Sequence, residues 1–496
     1  MNPYLILGFI GFYFFCLFLI AWITGRNANS SDFFIGSRKS HWYLVALGMI
    51  GDSLSGVTFI SVPGAVYTGQ FSYMQVVLGY FAGYIVINQV LLPLYYRMQL
   101  TSIYSYLLNR FGAFSQKTGS FYFLLSRLVG AAARLFLAVS TIQIFVFDPL
   151  HIPFEFSVVV MIVLMLLYTF KGGIRTLVWT DSLQSIMLLS GLVFSIVAIA
   201  IHSDWGMVDM INEVWNSQFS HVFVWDWKLR NFFWKHFIGG AFIAVAMTGL
   251  DQNMMQKNLS CPSLRDAQKN IWSFSVVMLL VNLVFLSLGA LLYIFASQKG
   301  ISLPMNDEKI LTDQVFPFLA LHHLGWIAGL AFIVGLTAAT FSSADSVMTT
   351  LTTSFCIDFL NIENRKDWSD IQKIRYRQYI HIAFSVLLLL VILLFKAVNS
   401  RAIIDTVLTL SNYTYGPLLG LFAFGLFAKR KVFDPLVPFV CLASPVITWV
   451  IDTQAAQWMG GYQFGYELIV VNGLISFFGL FIISFISRKP ILADMN

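Results

Sequence analysis

The sequence predicts an all-α polytopic membrane protein of about 13 transmembrane helices, with two five-helix units of opposite topology, and three observations carry that prediction. First, 58% of the 496 residues are hydrophobic and only 11% are charged. Ordinary soluble domains carry about a quarter charged residues, so this chain cannot cover several water-facing domains. Second, continuous apolar runs of roughly 20 residues recur from Tyr4 to Ile486, which excludes both a single anchor and the short alternating strands of an outer-membrane barrel. Third, the basic residues fall in alternate loops, as a chain threading back and forth through a bilayer requires.

Windows of about 20 apolar residues place spans near 4–23, 41–68, 72–99, 119–147, 155–170, 177–201, 234–256, 271–297, 324–358, 378–397, 402–427, 433–451 and 464–486. The first lacks a basic residue ahead of it and a small-residue cleavage site, so a retained helix is expected there and not a signal peptide. Alternate loops collect 21 of the 30 Lys and Arg residues, among them Arg38, Lys39, Arg110, Lys171, Lys257, Arg265, Lys269 and Arg375. The opposite loops hold Lys228, Arg230, Lys235, Lys299, Lys309, Lys396 and Arg401. This excess predicts an N-terminus outside and a C-terminus in the cytoplasm, in a plasma or bacterial inner membrane. The net charge of +6 then describes topology and gives no reason to expect a nucleic-acid partner. The expected partners are the lipid bilayer and a small-molecule substrate, with the chain functional as a monomer.

The chain divides into a leading helix and loop (1–40), a first five-helix unit (41–201), an external loop (202–233), a second five-helix unit (234–427) and two further helices with a short tail (428–496). The external loop carries Trp205, Trp215, Trp225 and Trp227, with Trp234 following, as expected of a segment lying at the membrane interface. No loop is long enough for a catalytic domain. Cys16, Cys261, Cys356 and Cys441 are too scattered for a disulfide framework or a zinc site. The eight histidines lie at span ends or in loops without an HExxH pattern, so no enzyme activity is expected.

Some spans carry polar and small residues that hydrocarbon tolerates only against a cavity or another helix. The second, from Gly48 to Gly64, combines Gly51, Gly56, Pro63 and Gly64 with Asp52, Ser53, Ser55 and Thr58. That composition predicts a helix broken near mid-membrane, whose freed carbonyls can ligate a hard cation; tight packing through small residues is the alternative. The seventh repeats the pattern with Thr248, Gly249, Asp251 and Gln252. A five-helix unit starting at the second span puts the start of the next at the seventh, and five is odd, so the two units run in opposite directions. In the ninth span, Ala339, Ser342, Ser343 and Ser346 share one helical face beside Asp345. The sixth places Asp181 and Gln184 one turn apart, with no basic residue nearer in sequence than Arg175. In the fourth, Arg127 and Arg134 share a face; Arg127 can snorkel to the cytoplasm, whereas Arg134 lies deep and needs a carboxylate such as Asp345 or an anionic substrate.

Across nearly its full length the chain resembles the sodium/solute symporter family. The resemblance rests on SSDFFIGSR from Ser30, SIYSYLLNRFG from Ser102, YTFKGGIRTLVWTDSLQ from Tyr168, GLDQNMMQKNLS from Gly249, the serine-rich ninth span and NYTYGPLLGLF from Asn412. It implies a LeuT-like fold and sodium as the coupling ion, with no organic cofactor. The principal sodium site would take carbonyls of Gly51, Leu54 and Ala339 with the hydroxyls of Ser342 and Ser343. A second cation site would involve Asp181, Ser342, Ser346 and Asp345. Ser53, Ser55, Thr58 and Arg134 match positions that hold the ligand in sodium/sialic acid symporters, although Val77 falls where a polar glutamine is expected. Sugar symporters instead use polar residues around Gln75, Asp251 and Asn412.

The implied function is sodium-coupled symport by alternating access, with a sugar acid or other small organic anion favoured as substrate. A neutral sugar or an amino acid such as proline comes next, and an ion channel is the alternative of another class.

Overall fold

The computed structural model describes residues 3–26, 30–306, 308–398 and 401–486; the side chains of 3–5, 30, 145, 398 and 401–412 fall outside that description. The architecture is all-helical apart from a two-residue hairpin pairing Met305 with Ile310. In order, the main helices are α1 (Pro3–Gly25), α2 (Trp42–Ser53), α3 (Gly56–Gly69), α4 (Tyr73–Arg97), α5 (Ala113–Ile142), α6 (Phe154–Thr169), α7 (Ile174–Ser203), α8 (Phe233–Gly249), α9 (Gln252–Leu259), α10 (Leu264–Gln298), α11 (Gly325–Phe359), α12 (Asp370–Val398), α13 (Arg401–Phe427), α14 (Val437–Trp458) and α15 (Leu468–Ser484).

Among the described residues, eight helices are long and apolar enough to cross a bilayer alone. Two further spans are bent pairs, α2 with α3 at 61° and α8 with α9 at 62°. Three shorter apolar helices, Phe154–Thr169, Tyr413–Phe427 and Leu468–Ser484, lie where the fifth, eleventh and thirteenth spans are expected. The bends fall inside the second and seventh expected spans, so each five-helix unit opens on a broken helix, the plan of inverted-repeat transporters.

Local chemistry sets the breaks. The Ser55 hydroxyl caps α3 by accepting the Thr58 N–H at 3.5 Å, and the Asp251 carboxylate caps α9 by accepting the Met254 N–H at 3.2 Å. Ser263 opens α10 in the same way, accepting from the Asp266 N–H while its hydroxyl donates back to the Asp266 carboxylate.

Burial grades from the centre outwards. In α11, 78% of the hydrophobic window is buried, against 22% in α1 and in α14, so α11 is the central post and the outer helices face lipid. Glycines let the helices approach to backbone contact. A Cβ on Gly79 of α4 would come within 2.9 Å of the Ala241 backbone of α8, and one on Gly240 of α8 within 3.1 Å of the Val76 backbone of α4. Gly191 of α7 lies equally close to the Ala331 carbonyl of α11.

These contacts predict that Gly240→Val, which pushes a branched side chain into the α4 backbone, lowers stability by about 1–3 kcal/mol. Gly8→Ala, where a new Cβ meets nothing within 4 Å, should leave it unchanged. Thermal unfolding in detergent checks both.

Candidate cation and substrate site

The first break supplies unpaired oxygens. Leu54 N–H is the last amide bonded back into α2, to Ile50 O at 2.8 Å, and Phe59 N–H bonds to Ser55 O at 3.0 Å in α3. No backbone hydrogen bond joins the amides of Ser55 to Thr58 with the carbonyls of Gly51 to Leu54. Against this break lies α11. A Cβ on Gly51 would sit 3.2 Å from the Ser342 hydroxyl, and one on Gly56 would collide with the Thr340 hydroxyl. Gly56 therefore needs to be glycine for the broken helix to rest on α11, and Gly51 for it to fit between the Ser185 hydroxyl of α7 and α11. Gly51 and Ser342, expected as ligands, are side by side, and Leu54, Ala339 and Ser343 are buried on the same two elements. The Ser343 hydroxyl meanwhile donates to Thr340 O at 3.2 Å.

Behind the break is a buried charge cluster. Asp181 of α7 accepts from Ser346 at 3.2 Å and lies 3.5 Å from the Ser342 hydroxyl, which brings these three expected residues together. Its Oδ2 also lies 2.6 Å from Lys257 Nζ. The same ammonium is 3.1 Å from Asp52 Oδ2, to which Asn253 Nδ2 donates at 2.6 Å. This corrects the sequence reading at two points. Lys257, counted with the cytoplasmic loop residues, is 1% exposed on α9, and Asp181 has a basic partner 76 positions away in sequence that linear proximity to Arg175 hides. Ser185 fixes the geometry: its hydroxyl accepts the Gly51 N–H at 2.9 Å and lies 2.6 Å from Leu47 O.

Asp345 is fully buried but faces elsewhere. Tyr168 of α6 hydrogen-bonds its Oδ2, and its Oδ1 has no partner. The nearby Gln184 donates to the Tyr13 hydroxyl at 2.9 Å and leaves its Oε1 unpaired. Asp345 is therefore not the partner of Arg134.

On the other side of the break lies a cavity of about 220 Å³, lined by Asp52, Ser53, Ser55, Thr58, Arg134 and three tyrosines of α4, Tyr73, Tyr80 and Tyr84. Arg134 is half-buried in this wall and makes no hydrogen bond or ion pair. Arg127, two turns earlier on α5, does not snorkel: its Nε lies 2.5 Å from Asp251 Oδ2, which also accepts from the Tyr415 hydroxyl at 2.7 Å. Asp251, expected around the substrate, is thus fully buried, engaged as a cap and counter-charge, and outside the lining of this cavity. Gln75 likewise does not line this cavity: it donates to Ser72 O and Asn231 O and accepts from the Val224 N–H, fastening the 202–233 loop to α4. The Asn412 side chain lies outside the described residues.

Lys257, Asn253, Tyr168 and the α4 tyrosines were not anticipated. The available signal for the first two is the i, i+4 spacing of Asn253 and Lys257, which becomes informative once the seventh span is extended as a helix to Leu259.

A family model described as the sodium:solute symporter family matches residues 33–432. The sodium/sialic acid symporter NanT of Aliivibrio fischeri is 24% identical over 459 residues, covering 91% of this chain and 88% of that protein. The sodium-coupled monocarboxylate transporter 1 of Mus musculus is 25% identical over 464 residues, covering 92% of this chain and 71% of that protein. Among solved structures, a substrate-bound, outward-open sodium-coupled sialic acid symporter superposes with a TM-score of 0.82 at 20% identity, covering 99% of this chain and 98% of that one. Mhp1, a nucleobase-cation-symport-1 family transporter, does so with a TM-score of 0.55 at 14% identity, covering 94% and 97%. These likenesses establish a LeuT-like fold.

The Arg127–Asp251 pair gives a stability prediction. Asp251→Asn leaves a buried guanidinium without its counter-charge and removes the carboxylate cap of α9, and should cost about 3–5 kcal/mol. The double replacement Arg127→Met with Asp251→Leu should cost less than the sum of the single changes. A thermal-unfolding double-mutant cycle measures this.

Proposed function

Because the chain belongs to the sodium:solute symporter family, we propose that it couples the entry of sodium to that of a small organic anion by alternating access. The observation that carries the substrate class is Arg134, a guanidinium in the cavity wall with no protein partner. A cation held this deep in a membrane protein is expensive without a counter-charge, and a carboxylate-bearing solute supplies one by bidentate hydrogen bonding. Ser53, Ser55 and Thr58 offer hydroxyls around the same volume for the rest of a polar solute. At about 220 Å³ the cavity is smaller than the roughly 300–1,000 Å³ typical of drug-sized ligands, which suits a sugar acid or a shorter carboxylate. Relatives named for sialic acid and for monocarboxylates bracket that range.

Sodium would be held by the free carbonyls of Gly51 and Leu54, the Ala339 carbonyl and the hydroxyls of Ser342 and Ser343. These are all hard oxygen donors, of the kind that unwound membrane helices present to sodium. A second cation would sit among Asp181, Ser342 and Ser346, with Asp345 behind. The basic-residue bias supports an external N-terminus and a cytoplasmic C-terminus, so sodium entering from outside gains about 2.3 kcal/mol per charge for each 100 mV of inside-negative potential. Ion and substrate share the stretch from Gly51 to Thr58, and each therefore raises the other's affinity by the same factor.

A thermal-shift screen of sugar acids, monocarboxylates, neutral sugars and amino acids, with sodium or choline, tests the reading. A carboxylate that stabilises the protein only in sodium is expected; stabilisation by neutral sugars alone would overturn the anion assignment. Arg134→Ala should abolish the carboxylate shift and keep the sodium shift. In proteoliposomes, Ser342→Ala with Ser343→Ala should eliminate sodium-driven uptake in a folded protein, and retained full sodium dependence would sink the ion-site assignment.

A further inference from the structure

Neither sodium ligation nor substrate capture requires an ammonium group inside the membrane, yet Lys257 is buried there between two carboxylates. Its position is specific. Asp181, 2.6 Å from Nζ, is the carboxylate of the proposed second cation site and also faces Ser342 and Ser346. Asp52, 3.1 Å from Nζ, lines the substrate cavity from the last turn of α2. Lys257 itself belongs to α9, the far half of the second broken helix. One flexible monovalent cation thus touches the ion region, the substrate cavity and both broken helices at once.

Charge and geometry decide what such a group does. Asp52, Asp181 and Lys257 sum to a formal charge of −1, which one further monovalent cation neutralises. Lys257 Nζ occupies the same Oδ2 of Asp181 that Ser346 approaches. A sodium ion arriving there meets a like charge on a shared ligand, and the lysine stem is long enough to give way toward Asp52, already within contact.

We propose that Lys257 is a tethered cation that holds the Asp181 position in the absence of sodium and couples ion to substrate by shifting to Asp52 when sodium binds. The consequence at the cavity follows from sign. With the ammonium drawn to Asp181, Asp52 leaves negative charge at the cavity wall, against an anionic solute. With the ammonium on Asp52, that charge is cancelled and the field of Arg134 dominates. Sodium binding therefore favours the anion, and by reciprocity the anion favours sodium. This inference rests on the sodium-symport reading of the same site and adds the residue through which coupling runs.

Sodium alone is a sufficient probe. The full-length protein in detergent is titrated with sodium chloride at constant ionic strength, made up with choline chloride and without any solute, and the melting temperature is followed. Lys257→Met removes the competitor and should raise apparent sodium affinity by about tenfold, the scale of ordinary site coupling, whereas Lys257→Arg should stay near the wild type. If the uncompensated carboxylates prevent Lys257→Met from folding, Lys257→Met with Asp52→Asn restores the net charge of −1 and should show the same gain. Unchanged or weakened sodium affinity in a cooperatively melting variant would overturn the proposal, as would failure of both variants to fold, because Lys257 would then be structural. A wild type indifferent to sodium would instead remove the symport reading itself.

Discussion

A helix that stops in mid-membrane leaves carbonyls without donors, and the rest of this molecule is arranged around two such stops. Hydrocarbon offers no hydrogen bonds, so irregular backbone at that depth persists only where protein, water or ligand supplies the missing partners. Here the first stop, at Leu54, is pressed against α11 through Gly51 and Gly56, which have no side chain to hold the elements apart. The second, at Leu250, is closed by the Asp251 carboxylate acting as a helix cap and as the counter-charge of Arg127. The two stops therefore differ in kind. One is left with free oxygens beside serine hydroxyls, and the other is locked by an ion pair.

That difference organises the buried charges. Arg127 and Arg134 share a face of α5, but only Arg127 has a protein counter-charge, so the pair divides into a structural cation and an open one. Lys257 extends the division to the proposed ion region, where a single ammonium serves two carboxylates. Buried ion pairs add little net stability relative to well-packed apolar residues, because desolvation offsets the Coulomb attraction. Their presence in series, linking α2, α5, α7 and α9, is better explained by selectivity between alternative pairings than by the strength of any one pair.

Much of this was legible in the sequence, and the limits were physical. Continuous apolar runs and the distribution of basic residues specify membrane helices because lipid imposes a single solvent along the whole span. The breaks at Gly51 to Thr58 and at Gly249 to Asp251 were visible as small and polar residues in otherwise apolar runs. Asp181, Ser342 and Ser346 were each identifiable, since a carboxylate or paired hydroxyls in a span need a reason. Partner choice was not legible. Asp251 reads as a substrate ligand until Arg127 is seen beside it, and Asp345 as a partner of Arg134 until Tyr168 takes that place. Lys257 was misplaced because its helix half is short and polar, with Gln252, Asn253, Gln256 and Asn258 around it, so hydropathy ends the span before it. Those same polar residues are what a helix needs when it is surrounded by protein on every side.

The polarity of α9 also bears on how a movement at the proposed ion region reaches the opposite repeat. Gln252 accepts the Ile103 N–H at 2.9 Å and donates to Thr101 O at 2.8 Å, Asn253 joins Asp52 to Thr350, and Asn258 accepts from Asn270 at 2.7 Å. This half-helix is thus bonded by side chains to the loop after α4, to α2, to α10 and to α11. A shift of the Lys257 head group between Asp181 and Asp52 happens inside that lattice, where few side chains can adjust independently. Packed polar networks of this sort change between discrete arrangements more readily than they deform by degrees. In the proposed cycle, a short displacement of one ammonium is therefore sufficient to favour one arrangement of the two broken helices over another. No separate long-range path is required, because α9 already touches the elements that have to move.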